Sequence, residues 1–240
     1  DDAIIGTDDF ELSDEEWTED DTEDEESNRK FGNGHYAGFD VYFSQFANEI
    51  GDVTFDQNPY WEINQMKSFG FNYNMFDLKF PIAGKQLGIT TGLGFGYHNY
   101  SIRNNYVLAH TADTIFAIQD TTFNFKTNKL QVGTISIPLL LDYSFDKNFE
   151  KSYFIAVGVV GSYNYGTKQS LTGTYANGDE FVNSTISAFN MNRWTLDATT
   201  RIGYGHFGMF ISYQLNSMFK TGHTVAVYPF RIGFNILFGI

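Results

Sequence analysis

From Gly34 onward apolar and polar residues alternate with period two, the mark of strands that have one face in apolar surroundings. Between Gly34 and Phe46 the odd positions His35, Ala37, Phe39, Val41 and Phe43 oppose Gly34, Tyr36, Gly38, Asp40 and Tyr42. From Leu87 to Ser101, a row of Leu87, Ile89, Thr91, Leu93, Phe95 and Tyr97 faces away from Gly88, Thr90, Gly92, Gly94, Gly96 and His98. A file of glycines wastes core volume in a soluble sandwich. On the inner wall of a narrow barrel it makes room for large side chains from across the lumen. Between these two strands, Ser68 to Ile82 begins with Phe69, Phe71, Tyr73 and Met75 on the outer face and ends with Phe76, Leu78 and Phe80 there. The parity break predicts a bulge at Met75-Phe76. Further strands are expected at Lys129 to Phe145, Ser152 to Tyr165, Asn192 to Tyr204, His206 to Phe219 and Val225 to Phe238, eight in all.

The links between strands have a rhythm of their own. Links two, four and six are short: Ala83 to Gln86, Asp146 to Lys151, and the corner Gly203-Tyr204-Gly205. Links one, three and five are long, at Ala47 to Lys67, Arg103 to Asn128 and Gly166 to Met191, and only link seven, Lys220 to Thr224, is brief. Short periplasmic turns and longer external loops make this pattern in a bacterial outer-membrane barrel with both termini in the periplasm. The large apolar residues on the outer faces, such as Phe69, Trp194, Phe230 and Phe234, would form an unusually large exposed patch on a soluble monomer. The expected fold is therefore all-β: an eight-stranded antiparallel up-and-down transmembrane β-barrel over residues 31–240.

Composition separates off the first 30 residues. The net charge of −14 looks like that of an acidic protein, yet 15 of the 29 acids fall between Asp1 and Glu26, where there is no Lys or Arg. The remaining 14 acids face 15 bases, so the barrel region is close to neutral. Residues 1–30 read as a disordered acidic tail, because self-repelling carboxylates dominate and little apolar surface offsets the entropy of ordering. Within the tail Phe10, Leu12 and Trp17 stand as candidate anchors of a short binding motif, against the alternative that they are incidental. No apolar run reaches the ~18 residues of a spanning helix, which excludes helical membrane proteins only. There are no cysteines, hence no disulfide framework and no thiol nucleophile. A start without Met or a charged-then-apolar leader fits an exported chain whose signal peptide has been removed.

The stretch Ile137-Pro138-Leu139-Leu140-Leu141-Asp142-Tyr143, followed by an aromatic, glycine-bearing strand from Tyr153 to Gly161, resembles a motif of PorT-like outer-membrane barrels of Bacteroidota. The closing Phe230-Arg231-Ile232-Gly233-Phe234-Asn235-Ile236-Leu237-Phe238 is similar to the last strand of that family, with Gly239-Ile240 added after the terminal aromatic. The resemblance covers about Phe31 to Ile240 and implies fold and location. Function it leaves open, because such barrels serve many roles.

The strand parities direct Asp40, Asp77, Lys79, Asp142, Arg193, Asp197, Arg201 and Arg231 into the lumen, with His98 as a neutral member. Four acids and four bases in a low-dielectric interior are expected to pair with one another. A polar conduction path is the rival reading, but eight strands enclose little more than their own side chains. Catalysis finds less support. The five histidines never fall at metal-ligand spacing, His98 with Ser101 or His223 near Ser217 is a chance-level pair, and Gly92, Gly94 and Gly96 open no helix. No cofactor and no nucleic acid are implied. In the third link Thr114 and Thr121 fit a short Asp-Ser/Thr-apolar pattern for O-glycosylation, a pattern brief enough to recur by chance.

By elimination the expected function is interaction: a non-enzymatic barrel acting as an accessory or anchoring subunit of an outer-membrane complex for secretion, uptake or barrel insertion. Its partners would be outer-membrane lipid and other envelope proteins met through the tail, the loops or the barrel wall. The alternatives are a surface adhesin using the loop aromatics Tyr60, Trp61, Tyr106, Tyr175 and Phe181, and a narrow diffusion channel.

Overall fold

A computed structural model describes residues 34–55, 58–103, 105–120, 124–148, 151–175 and 177–238. The acidic segment with Phe10, Leu12 and Trp17, and also Thr121, lie outside the described residues. Eleven strands are present among those described: β1 (Gly38–Ala47), β2 (Phe69–Ala83), β3 (Leu87–Ser101), β4 (Tyr106–His110), β5 (Ile115–Gln119), β6 (Asn124–Ser144), β7 (Tyr153–Thr174), β8 (Glu180–Ile186), β9 (Trp194–Tyr204), β10 (Phe207–Gln214) and β11 (Tyr228–Leu237). Eight of them pair in a closed antiparallel ring, β1–β2–β3–β6–β7–β9–β10–β11 and back to β1. These are the eight that the alternation predicts.

Period-two patterning makes a wall with two chemistries. Val41, Ile137, Leu139 and Phe234 point outward and are 57, 59, 55 and 62 % exposed, whereas their neighbours Tyr42, Ser136, Leu140 and Asn235 point inward and are buried. An apolar outer band of this kind is stable against hydrocarbon. Two sets of aromatic rings border it. Tyr143 with Phe145 and Tyr153 with Tyr204 lie at the short-turn end, and Phe71 with Tyr97 and Tyr163 with Trp194 lie toward the long loops, at centroid separations of 5.0, 4.8, 5.6 and 4.9 Å. Amphipathic rings at both interfaces are characteristic of barrels that cross a bilayer.

The expected bulge is in place. The β2–β3 register shifts between Asn74 and Phe76, leaving Met75 unpaired, so both halves of β2 keep their apolar residues outward. At the same level of β3, its ladder with β6 skips Ile137 and Pro138, since proline has no N–H to contribute.

Three boundaries differ from the alternation. The first strand starts at Gly38 and not Gly34; His35 and Ala37, assigned by parity to the outer face, are buried. Gly38 has φ +144°, and a Cβ there would lie 2.0 Å from the Ile236 carbonyl oxygen, so the chain turns inward at this residue. The seventh link is long, residues 215–227, because Met218, Phe219 and Val227 bury in a loop core and do not extend β10 and β11 along the wall. The β9–β10 corner falls one residue later than expected, at Gly205-His206, with Gly203 paired to Gly208 inside the ladder. All four links at one end are therefore long and the three at the other short.

Replacing Gly38 by Val is expected to disrupt the β1–β11 seam, because the clash is with backbone. Gly161→Ala, where the nearest atom is 3.9 Å from the added carbon, should be neutral. On unheated gels the fraction of fast-migrating, folded barrel reads this directly: it should fall sharply for Gly38→Val and match the parent for Gly161→Ala.

Candidate functional site

The lumen is filled in three tiers. At the short-turn end the segment before β1 enters the ring. The Asp77 carboxylate accepts the backbone N–H groups of Gly34, Tyr36 and Ala37 at 3.0, 2.9 and 2.7 Å. The fully buried Asp142 accepts from the His35 backbone N–H at 2.8 Å, from Thr90 Oγ1 at 2.9 Å and from Lys79 Nζ at 3.1 Å, and its Oδ1 lies 2.7 Å from His35 Nδ1. Lys79 Nζ also donates to the Gln86 carbonyl at 2.9 Å. The His35 ring stacks on Phe154 at 4.0 Å. Residues 34–37 thus form a plug held by two carboxylates. The glycine file explains its fit: a Cβ on Gly94 would come within 2.7 Å of the Tyr36 hydroxyl oxygen, which in turn lies 3.1 Å from Ser136 Oγ.

The middle tier is ionic. Arg201 grips Asp40 with both terminal nitrogens, at 3.1 and 2.7 Å, and Asn72 and Asn74 donate to the same carboxylate. The guanidinium lies over the rings of Tyr36 and Phe210, at 4.9 and 5.2 Å, so cation–π attraction adds to the pairing. Arg231 donates to Asp197 at 2.6 Å and approaches the Tyr100 hydroxyl at 3.4 Å. His98 bridges Tyr42 and Thr134 by hydrogen bonds of 2.8 and 3.1 Å. Between these groups remain cavities of about 40 and 10 Å³, space for a few waters.

Seven of the eight residues that parity directs inward therefore line the lumen, though not as four pairs. Arg193 is exposed at the entry to β9, and Asp77 binds backbone N–H groups where a fourth cation was expected. His35, absent from that set, takes the second place on Asp142. A histidine heading a row that continues Phe39, Val41 and Phe43 was the signal that this residue does not belong on a lipid-facing wall.

The third tier caps the long-loop end. Phe46, Trp61, Ile63, Tyr100, Leu130, Phe189, Phe219 and Val227 close into one apolar core, joined by Leu108 and Ile115 of the β4–β5 hairpin. Trp61 is fully buried, meets Phe219 at 4.5 Å and donates through Nε1 to Thr224 Oγ1 at 3.1 Å. Tyr60 packs against both Trp61 and Tyr106. Three of the aromatics expected to serve adhesion are thus structural, while Tyr175 remains exposed at 46 % and meets Phe181 beside it. Thr114 is exposed next to this core. Beyond the ring, β7 runs on to pair with β8, and Lys126 of β6 forms an ion pair with Glu180 of β8 that holds this exposed carboxyl below its usual range. Among the described residues no group of three or more His, Asp or Glu is placed to hold a metal.

Removing one member of a buried pair strands the other. Arg201→Ala is expected to cost about 3–5 kcal/mol, because Asp40 is left buried without its partner. The double variant Asp40→Leu/Arg201→Met should lose less than Arg201→Ala, and Arg193→Ala should stay within about 0.5 kcal/mol of the parent. Urea unfolding in detergent micelles, followed by tryptophan fluorescence, measures all three.

The family model described as outer membrane protein beta-barrel domain matches residues 20–220. Comparison with curated proteins gives no match. Solved structures with a similar fold include the attachment invasion locus protein Ail of Yersinia pestis, bound to the heparin analogue sucrose octasulfate, at 13 % identity and TM-score 0.32, covering 83 % of this chain and 94 % of that one. Another is Neisserial surface protein A, at 13 % identity and TM-score 0.33, with the same coverages. The family match spans most of the chain, and it agrees with the closed ring, the apolar outer band and the two aromatic borders. The chain belongs to the outer-membrane β-barrel domain family.

Proposed function

We propose that this protein is a non-conducting, non-enzymatic barrel that anchors a partner in an outer-membrane assembly, as an accessory subunit holding other envelope proteins at its two ends. The observation that carries the reading is the filled lumen. A plug, two arginine–carboxylate pairs and an apolar cap fill the interior with paired side chains, which favours a rigid barrel over a conducting one. What is left for function is surface. The β7–β8 hairpin stands beyond the ring with Val182 and Ile186 exposed at 76 and 81 %, and in the sheet order β8 is an edge strand paired only to β7. A strand at the end of the sheet order with exposed apolar side chains favours a protein partner that adds a strand.

In this reading the long-loop end faces outward and the short-turn end faces the periplasm. Gly34 and Leu237 both lie at the short-turn end, which supports a periplasmic location for the segment 1–30 in this reading. Phe10, Leu12 and Trp17 are its proposed anchors, and Thr114 is a proposed glycosylation site. The likeness of Ile137–Tyr143 and Phe230–Phe238 to PorT-like barrels of Bacteroidota is compatible with a secretion-type assembly and does not select it over uptake or barrel insertion. A second reading, adhesion through the same hairpin, draws on the exposed Tyr175 and Val182.

Affinity purification from native membranes decides between them. A stoichiometric envelope partner is expected with the full chain, and it should be lost when residues 175–187 are replaced by a short turn. Deleting residues 1–27 should weaken the complex at raised salt, with heat-shifted migration retained in both variants. A full chain that purifies as an isolated monomer contradicts the subunit reading and favours adhesion.

A further inference from the structure

Outside the lumen, one groove of about 590 Å³ opens on the outer wall where β2, β3 and β6 meet the long loops. Four cations line it, Lys67, Arg103, Lys126 and Lys129, and no carboxylate does among the described residues. Lys126 is paired to Glu180; Lys67, Arg103 and Lys129 have no ion-pair partner within 4 Å among the described residues. The barrel region as a whole is near neutral and pairs its buried charges, so three unpaired cations in one concavity are a local excess.

Apolar side chains share the lining with these cations. Met66 is 76 % exposed, and Phe69, 48 % exposed, is the first residue of the outward row that continues through Phe71 and Tyr73 down the lipid-facing wall. Lys129 belongs to the outward row of β6 that runs through Ile135, Ile137 and Leu139, and Lys168 of β7, paired to Gln131 in the same row, extends the positive surface. Cations at the upper edge of an apolar wall stand where headgroups meet acyl chains. A free anion would make no use of Met66 and Phe69. We infer that this groove binds the phosphate-bearing headgroup of a membrane lipid, with Arg103, Lys67 and Lys129 on the phosphates and the acyl chains against Phe69 and the wall below. The inference rests on the outward orientation of the long-loop end, which gives the groove access to the phosphorylated glycolipid of the outer leaflet.

The test reconstitutes the full chain in phosphatidylcholine vesicles containing diphosphorylated lipid A, extracts it in mild detergent and measures retained lipid A by native mass spectrometry. The parent should retain it. Arg103→Glu/Lys129→Glu should retain about tenfold less or lower, and Lys147→Glu, an exposed cation at the other end, should match the parent. Millimolar inorganic pyrophosphate should leave retention by the parent unchanged. Equal retention by the double charge reversal would overturn the site, and complete displacement by pyrophosphate would overturn the lipid as its occupant. If the charge reversal prevents folding, seen as loss of the heat shift, Arg103→Gln/Lys129→Gln replaces it, with a several-fold loss expected. Absence of the heat shift in the parent would count against the membrane barrel itself, and is read separately from lipid retention.

Discussion

Everything in this molecule depends on closing the backbone ladder between β1 and β11. In a hydrocarbon layer an unpaired N–H or C=O has no water to turn to and costs several kcal/mol, so a sheet with open edges cannot stand there. Ten consecutive residue pairs, Gly38↔Leu237 through Ala47↔Tyr228, make that seam. Gly38 is the residue at which closure and plugging meet. Its backbone lies against the Ile236 carbonyl with no room for a side chain, and its φ of +144° turns the preceding chain away from the wall and into the lumen.

Closure at eight strands then fixes the interior. The space enclosed is narrow, and the inward row of each strand must fill it with side chains that tolerate one another. Glycines at one height answer to bulk at another, as Gly94 does to Tyr36. Charges enter only with partners, as Asp40 does with Arg201 and Asp197 with Arg231. Such pairs are weak evidence of net stabilisation, since desolvation offsets much of their attraction. Their effect is on uniqueness: a one-residue slip of β9 would turn Arg201 and Asp197 toward lipid and leave Asp40 and Arg231 inside without their partners. The plug and the cap complete the filling of the lumen.

The wall was legible because a barrel strand has only two environments and a side chain's polarity reports which one it faces. Trp194, Leu196 and Ile202 against Asp197, Thr199 and Arg201 could hardly be read otherwise, and the Met75 bulge followed from one break in parity. Where the environment is neither lipid nor lumen, the same rule misleads. His35 and Ala37 alternate in phase with Phe39 but lie inside, because a backbone turn at Gly38 resets the phase. Arg193 is in phase with Asp197 but lies above the wall, where solvent receives it. Phe219 and Val227 read as strand continuations, yet they bury in a loop core assembled from four separate links, a long-range arrangement with no local period. The hairpin β4–β5 and strand β8 were hidden in the long links for that reason. The basic groove, too, joins residues distant in sequence and leaves no motif.

In the proposed reading this barrel is a filled strut whose work is done at its surface. Planar-bilayer recording of the purified full chain tests it most directly. The account predicts that insertion, verified by heat-shifted migration of the recovered protein, adds no stable conductance steps over a wide voltage range. Persistent ohmic steps that Tyr36→Ala enlarges would contradict it, because they would show that the plug at Tyr36 lines an open path and that the lumen conducts.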